Sequence, residues 1–208
     1  MSDTATRPHR LLLHACCGPC LLEPLDALAR EADDVTVAYA NPNIHPAEEY
    51  VRRRDTLLAY AAKTGVEVLE LPYDPEAWEA AVAPLAGAGA ERCRACYRLR
   101  LGLAAGMAAE GGFDALATTL TVSPYQDQVA INEEGRAAAA RGGVTWLERD
   151  FRDRYRDATV RSRELGMYRQ NYCGCVYSQT EAQDDREARR AARAAEKAVR
   201  RASSADAP

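Results

Sequence analysis

No stretch of this sequence approaches the ~20 consecutive apolar residues that a membrane-spanning helix needs, so a membrane role is not expected. The roughly 7–15-residue apolar core of an export signal is missing as well. The start, MSDTATRPHRLLLHACC, superficially resembles a lipoprotein leader, with Leu13-His14-Ala15-Cys16 standing where a cleavage box would be. Only residues 11–13 are apolar before it, and the expectation is a protein that is not exported. No internal repeat is visible, which sets repeat architectures aside. A strong positive charge is lacking too: 27 Lys and Arg face 31 Asp and Glu, for a net charge of −4. That balance argues against a chain that coats nucleic acid nonspecifically, while leaving room for a local basic face.

What is present is a globular composition with clustered thiols. A chain of 208 residues that is 47% apolar can bury a real core without disulfides. Its seven cysteines are odd in number and fall in tight groups, unlike the spread of a secreted disulfide scaffold. This favours metal or redox chemistry in a reducing, cytoplasmic compartment.

Short β-rich runs alternate with amphipathic helical stretches, the pattern of parallel strands joined by crossover helices. Strands are expected at 11–14, 35–40, 66–71, 115–120 and 144–148. Helices are expected at 21–31, 46–64, 94–110, 125–141 and 155–165. Pro46 opens one of these and Gly65 closes it, and Gly111-Gly112 and Gly142-Gly143 close two others. The fold class is therefore α/β: an open, mostly parallel sheet with helices on both faces, Rossmann-like and similar in layout to the PP-loop/HUP architecture. Residues 84–90, with Gly87 and Gly89, read as a flexible link. From Glu181 onward the chain is rich in Ala, Arg and Glu with no apolar stripe, which predicts a solvated helix or a disordered tail. The expected organisation is a catalytic α/β domain over 1–180 and a charged tail over 181–208.

The first cysteine group, His14-Ala15-Cys16-Cys17-Gly18-Pro19-Cys20, lies where the first strand ends and the first helix begins. Open α/β sheets bind ligands at such carboxyl ends, and a helix start favours the thiolate that metals require. The second group, Cys93-Arg94-Ala95-Cys96, has the two-residue spacing that lets two sulfurs converge on one metal or cluster. Cys16, Cys17, Cys93 and Cys96 together supply four thiolates. Adjacent cysteines suit separate irons of a [4Fe–4S] cluster better than a single zinc ion. The third group, Tyr172-Cys173-Gly174-Cys175, places two thiols about a glycine. A disulfide over so short a loop needs a turn and is readily reduced, which suits a redox-active pair. Metal ligation or inert packing by these thiols remain open at this point.

Other polar residues crowd the same strand ends: 41–46 with His45, Thr118-Thr119, and Ser123-Pro124-Tyr125. His45 is an acid, a ligand or a loop hydrogen-bonder, and Asp74 is a helix cap or a site carboxylate. Arginines cluster at 52–54, 92–100 and 149–163, a pattern that solvated helix faces also produce.

The segments HACCGPC, NPNIHPAEEYVRRR, LPYDPEAW, RCRACYRLRL, FDALATTLTVSPYQD and YRQNYCGCVYS, in this order over about 11–178, resemble the epoxyqueuosine reductases of the QueH type. The resemblance implies the last step of queuosine synthesis, in which the epoxide oxygen of a modified base in a tRNA anticodon is removed. It further implies a [4Fe–4S] cluster on Cys16, Cys17, Cys93 and Cys96, a redox-active disulfide of Cys173 with Cys175, and an additional metal ion, iron or zinc, near the cluster. Cys20 receives no role from it. A tRNA carrying epoxyqueuosine and an unidentified electron donor are the implied partners. With an RNA substrate, Arg98, Arg100, Arg169 and the 152–163 stretch become candidates for the binding surface, and Tyr125, Tyr172 and His45 candidates for the proton donor.

Two other classes fit parts of the pattern. One is an ATP-dependent tRNA-modifying enzyme of the pyrophosphatase type, although its glycine-serine-rich phosphate cradle is missing. The other is a non-catalytic zinc-binding module.

Overall fold

The structure is a computed structural model and describes residues 7–205. The first six residues of the leader-like start and the last three of the tail lie outside the described residues. The chain divides into two compact units, Met1–Arg169 and Gln170–Pro208.

The first unit is built on β1 (Arg10–His14), β2 (Asp34–Tyr39), β3 (Val68–Glu70), β4 (Ala115–Thr118) and β5 (Thr145–Trp146). All pair in parallel, in the order β3-β2-β1-β4-β5. The crossovers are α1 (Gly18–Leu28), α2 (Ala47–Thr64), α3 (Pro75–Val82) with α4 (Gly89–Glu110), and α5 (Gln128–Gly142), and α6 (Tyr155–Glu164) follows the last strand. β1 is central, so its residues are buried on both faces: Leu11 and Leu13 enter one apolar cluster and Leu12 the other. The first cluster includes Leu21, Leu22, Leu57 and Ala158 from α1, α2 and α6. The second includes Leu101, Ala104, Ile131 and Ala138 from α4 and α5. Helices on both faces of an open parallel sheet are the expected fold, and each fully buried leucine contributes about 1.5–3 kcal/mol to holding it.

Several boundaries differ from the sequence expectation, each for a local reason. The fourth strand ends at Thr118 instead of 120, and Thr119–Val122 forms a 3₁₀ turn. There the Thr118 hydroxyl accepts from the Leu120 amide at 3.2 Å, and the Thr121 hydroxyl donates to the Thr118 carbonyl at 3.2 Å. Threonine side chains thus replace ladder bonds with local ones. A helix not expected from the sequence, α3, begins after Asp74, whose carboxylate accepts from the Ala77 amide at 3.0 Å. Asp74 is therefore a helix cap. The supposed flexible link at 84–90 is ordered: Ala83–Leu85 is a 3₁₀ turn, and Arg92 Nη1 donates to the Ala86 carbonyl at 2.9 Å. In consequence α4 starts at Gly89, five residues earlier than expected, and Cys93 and Cys96 sit inside a helix.

The second unit is dominated by α7 (Val176–Ala205). The charged tail is thus helical as far as Ala205.

Candidate metal centre at the sheet switch point

Chain order runs from β1 outward through β2 to β3, then crosses to β4 and β5 on the other side. Strand order therefore reverses between β1 and β4, and beyond the carboxyl ends of strands at such a reversal is where open α/β sheets bind ligands. Each strand ends there on a buried polar residue: His14 and Thr118 are register partners, with His14 Nδ1 2.9 Å from Thr118 Oγ1. Nε2 of His14 lies 3.4 Å from the Ala40 carbonyl. Burial, reinforced by the Arg100 cation, lowers the His14 pKa to about 3, so its imidazole is neutral.

Beyond His14 the chain gives up its strand bonds one at a time. The Ala15 amide still donates to the Ala38 carbonyl at 2.9 Å, and the Cys16 amide donates to Thr119 Oγ1 at 3.3 Å. Cys17 is extended and caps α1, its sulfur accepting from the Cys20 amide at 3.4 Å. This turn brings three sulfurs together. Cys17 Sγ is 2.7 Å from Cys20 Sγ and 3.8 Å from Cys16 Sγ, and the three lie within 4.8 Å of one another. Gly18 permits the close packing: a Cβ there would stand 3.0 Å from Thr56 Cγ2 and 3.2 Å from the Thr56 carbonyl oxygen.

The electrostatics select one sulfur as the anion. Hydrogen bonds from Cys17 and Cys20, with the nearby Arg100 cation, hold the Cys16 thiol well below its usual range despite burial. The Cys20 thiol is pushed up, because its hydrogen bonds to the Cys16 and Cys17 sulfurs require it to keep its proton. Three converging sulfur donors, one already favoured as thiolate, can hold a soft metal. Cys20 is the residue that sequence reasoning left without a role. Its signal was available: Cys17 and Cys20 repeat the two-residue spacing of Cys93 and Cys96.

Cys93 packs against the apolar cluster on the sheet face to which Cys16 and Cys17 also contribute. Cys93 and Cys96 do not enter the group of sulfurs within 4.8 Å. Cys96 and Tyr97, on the same helix, are buried. Thr119 also faces the site, with its hydroxyl 3.7 Å from Cys16 Sγ.

In the second unit, Cys173 is exposed and Cys175 buried on either side of Gly174, whose φ of 144° is a conformation that side-chain-bearing residues rarely adopt. The Cys175 sulfur accepts from the Ser178 amide at 3.3 Å, and the Gly174 amide donates to Ser178 Oγ at 3.2 Å. The two thiols are thus unequal, one open to solvent and one held at the start of α7.

The remaining candidates sort by their contacts. His45 Nδ1 lies 2.9 Å from the Asn43 carbonyl, and its ring packs on Trp78 at 5.0 Å, so it makes a loop contact. Arg100 is 1% exposed and cannot belong to an RNA-binding surface. Arg98 forks Glu134, Arg152 pairs with Asp150, and Arg161 pairs with Asp26 and Glu23. Much of the arginine pattern is therefore structural. Arg156, Arg163 and Arg169 are exposed.

The sequence model of the family described as "Epoxyqueuosine reductase QueH" matches residues 11–181. This chain belongs to that family. A QueH protein from Streptococcus pyogenes serotype M1 is 39% identical over 178 residues, covering 81% of this chain and 69% of the relative. One from Dehalococcoides mccartyi is 34% identical over 174 residues, covering 83% and 93%. A solved structure from Methanocaldococcus jannaschii, described as a predicted subunit of tRNA methyltransferase, aligns with a TM-score of 0.47 at 12% identity, over 74% of this chain and 75% of that one. In this QueH chain a groove of about 560 Å³ runs along α4 past Ala95, Arg98 and Leu103, but no cysteine lines it. Among the described residues, no helix is long and apolar enough to cross a membrane.

Proposed function

We propose that this chain is a cytoplasmic epoxyqueuosine reductase that converts epoxyqueuosine to queuosine in the anticodon of tRNA. The observation that supports it most is the convergence of Cys16, Cys17 and Cys20 at the β1–β4 switch point, with Cys93 against the same cluster, in a chain of the QueH family. The donor set is all sulfur, with Cys16 already biased to the thiolate, and it fits an iron–sulfur group. In this reading Cys16, Cys17, Cys93 and Cys96 hold a [4Fe–4S] cluster, and Cys20 is available to a further metal ion, iron or zinc, beside it. When bound, this metal group supplies electron transfer and a Lewis acid for the departing oxygen.

The reaction takes two electrons and two protons. Both carbon–oxygen bonds of the epoxide break, a carbon–carbon double bond forms, and the oxygen leaves as water. Cys173 and Cys175 balance it by giving up two hydrogens and closing a disulfide, which an external electron donor then reduces. The exposed Cys173 is the thiol such a donor reaches first. His14, neutral and fully buried, positions Thr118 and does not deliver a proton. Tyr125, 81% exposed on the loop after β4, offers a hydroxyl and a ring face to an RNA base. Residues 1–180 form the catalytic domain in this scheme, and 181–208 a charged appendage.

The test is anaerobic iron and sulfide analysis of the purified chain, together with mass spectrometry of nucleosides from tRNA containing epoxyqueuosine. Iron and sulfide with queuosine formation are expected. Cys173→Ser and Cys175→Ser should keep the absorption spectrum of the reconstituted protein and abolish turnover. A colourless chain that holds only zinc and leaves epoxyqueuosine untouched would overturn the proposal in favour of a zinc-binding module.

A further inference from the structure

Two successive threonines at the end of β4 answer different groups of the β1 edge. Thr118 is the register partner of His14, and its hydroxyl meets that ring and the Leu120 amide. Thr119 is the next residue and is 1% exposed, and its side chain meets Cys16 twice. The Cys16 amide donates to Thr119 Oγ1 at 3.3 Å, and the same hydroxyl donates to Cys16 Sγ at 3.7 Å. A parallel ladder continued in the same register would set Ala15 opposite Thr119 and offer Cys16 backbone groups alone. The chain instead enters the 3₁₀ segment Thr119–Val122 at this residue, and a side-chain oxygen takes the place of a ladder acceptor.

A hydroxyl carries one proton and two lone pairs. With a lone pair occupied by the Cys16 amide, the proton remains to be placed, and a buried donor needs an acceptor. The acceptor it meets is the sulfur of the same cysteine. Threonine suits this position for a second reason, because its branched side chain is stiff at χ1 and holds the hydroxyl in one direction. Hydrogen bonds to ligating sulfurs orient them and help to set the reduction potential of an iron–sulfur group. We propose that Thr119 is a positioning residue of the metal centre: its hydroxyl tethers Cys16 by both backbone and side chain, and donates a hydrogen bond to the ligating sulfur. The proposal rests on the reading of Cys16 as a metal ligand, but it concerns one hydrogen bond at that ligand and not the identity of the substrate.

Two variants separate this role from simple bracing of the turn. Thr119→Val keeps the branched shape and removes the hydroxyl. Thr119→Ser keeps the hydroxyl and removes the methyl group. The readouts are the midpoint potential and absorption spectrum of the chain reconstituted anaerobically with iron and sulfide, and thermal unfolding of the same samples. A proton shared with a ligating sulfur stabilises the more negative, reduced state. Thr119→Val is therefore expected to shift the midpoint potential negative, while Thr119→Ser stays near the parent value. Bracing alone would lower the unfolding temperature of Thr119→Val and leave its potential at the parent value, and that result would overturn the proposal. A shift in Thr119→Ser as large as that in Thr119→Val would overturn it as well. Should Thr119→Val fail to fold, Thr119→Ala, which removes the same hydroxyl with less bulk, carries the comparison.

If the parent chain takes up zinc and no iron, the iron–sulfur reading fails, and the present inference is then read on the cobalt(II)-substituted protein. Thiolate-to-cobalt charge transfer falls in energy when the sulfur loses a donated hydrogen bond. The band should move to longer wavelength in Thr119→Val and stay in place in Thr119→Ser. An unmoved band in Thr119→Val would overturn the proposal there too. A parent chain that takes up neither iron nor zinc would overturn both readings.

Discussion

His14 Nδ1 and Thr118 Oγ1 meet at 2.9 Å across the boundary between β1 and β4, joining the ends of the two strands between which the site opens. The same hydroxyl accepts from the Leu120 amide, so one threonine shapes both the histidine and the turn that ends β4. Thr118→Val keeps the volume and removes both bonds. A buried polar group left unsatisfied costs about 1–3 kcal/mol, and the variant should lose stability of that order in urea titrations. An unchanged midpoint would show that the contact contributes nothing.

Gly18 packs closely against Thr56 of α2. Adding a methyl group would press on the Thr56 side chain and carbonyl at 3.0 and 3.2 Å. Gly18→Ala should cost about 1–3 kcal/mol through overpacking and lower metal uptake, since relief moves the turn between Cys17 and Cys20. The measurements are thermal unfolding and metal content. Full metal occupancy in the variant would show that the sulfur geometry tolerates the shift.

Stability in acid should depend on Glu134, which joins α5 to α4. Arg98 contacts its two oxygens at 2.9 and 3.0 Å and holds its carboxyl below the usual range. A depressed folded pKa stabilises the protein above the ordinary carboxylate pKa, and that contribution disappears as pH falls through the folded value. Glu134→Gln should therefore lower stability at neutral pH and flatten its decline below about pH 4.5. Parallel acid limbs for the parent and the variant would refute this.

RNA binding should depend on Tyr125. Its ring lies 6.1 Å from that of Tyr155 in a T-shaped pair, and the side chain is largely exposed. Burial, then the nearby Tyr125 and Cys20, push the Tyr155 hydroxyl up. Loss of one stacked base costs about 1–3 kcal/mol, so Tyr125→Ala should weaken binding of an anticodon stem-loop by roughly 5- to 150-fold, while Tyr125→Phe retains it. A loss of turnover in Tyr125→Phe with binding intact would instead make the hydroxyl a proton donor.

The fold class and the presence of a thiol site were legible in the sequence because both depend on local pattern. Alternation of β-rich and helical runs dictates a parallel sheet, and the HACCGPC segment at the end of the first strand puts sulfur at a carboxyl edge. Family membership was legible from the order and spacing of the cysteine motifs. What required the tertiary structure were relations between residues far apart in the chain. Cys20 joins Cys16 and Cys17 because the Cys17 cap turns the backbone, and Arg100 leaves the surface because Asn41, 59 residues away, meets it in the interior. The arginine clusters looked alike in sequence, yet their roles separated once folding set Glu134 beside Arg98 and Asp26 beside Arg161. Local pattern fixes which elements form and where reactive side chains lie along them. Which of those side chains are buried, paired or charged depends on neighbours that only packing supplies.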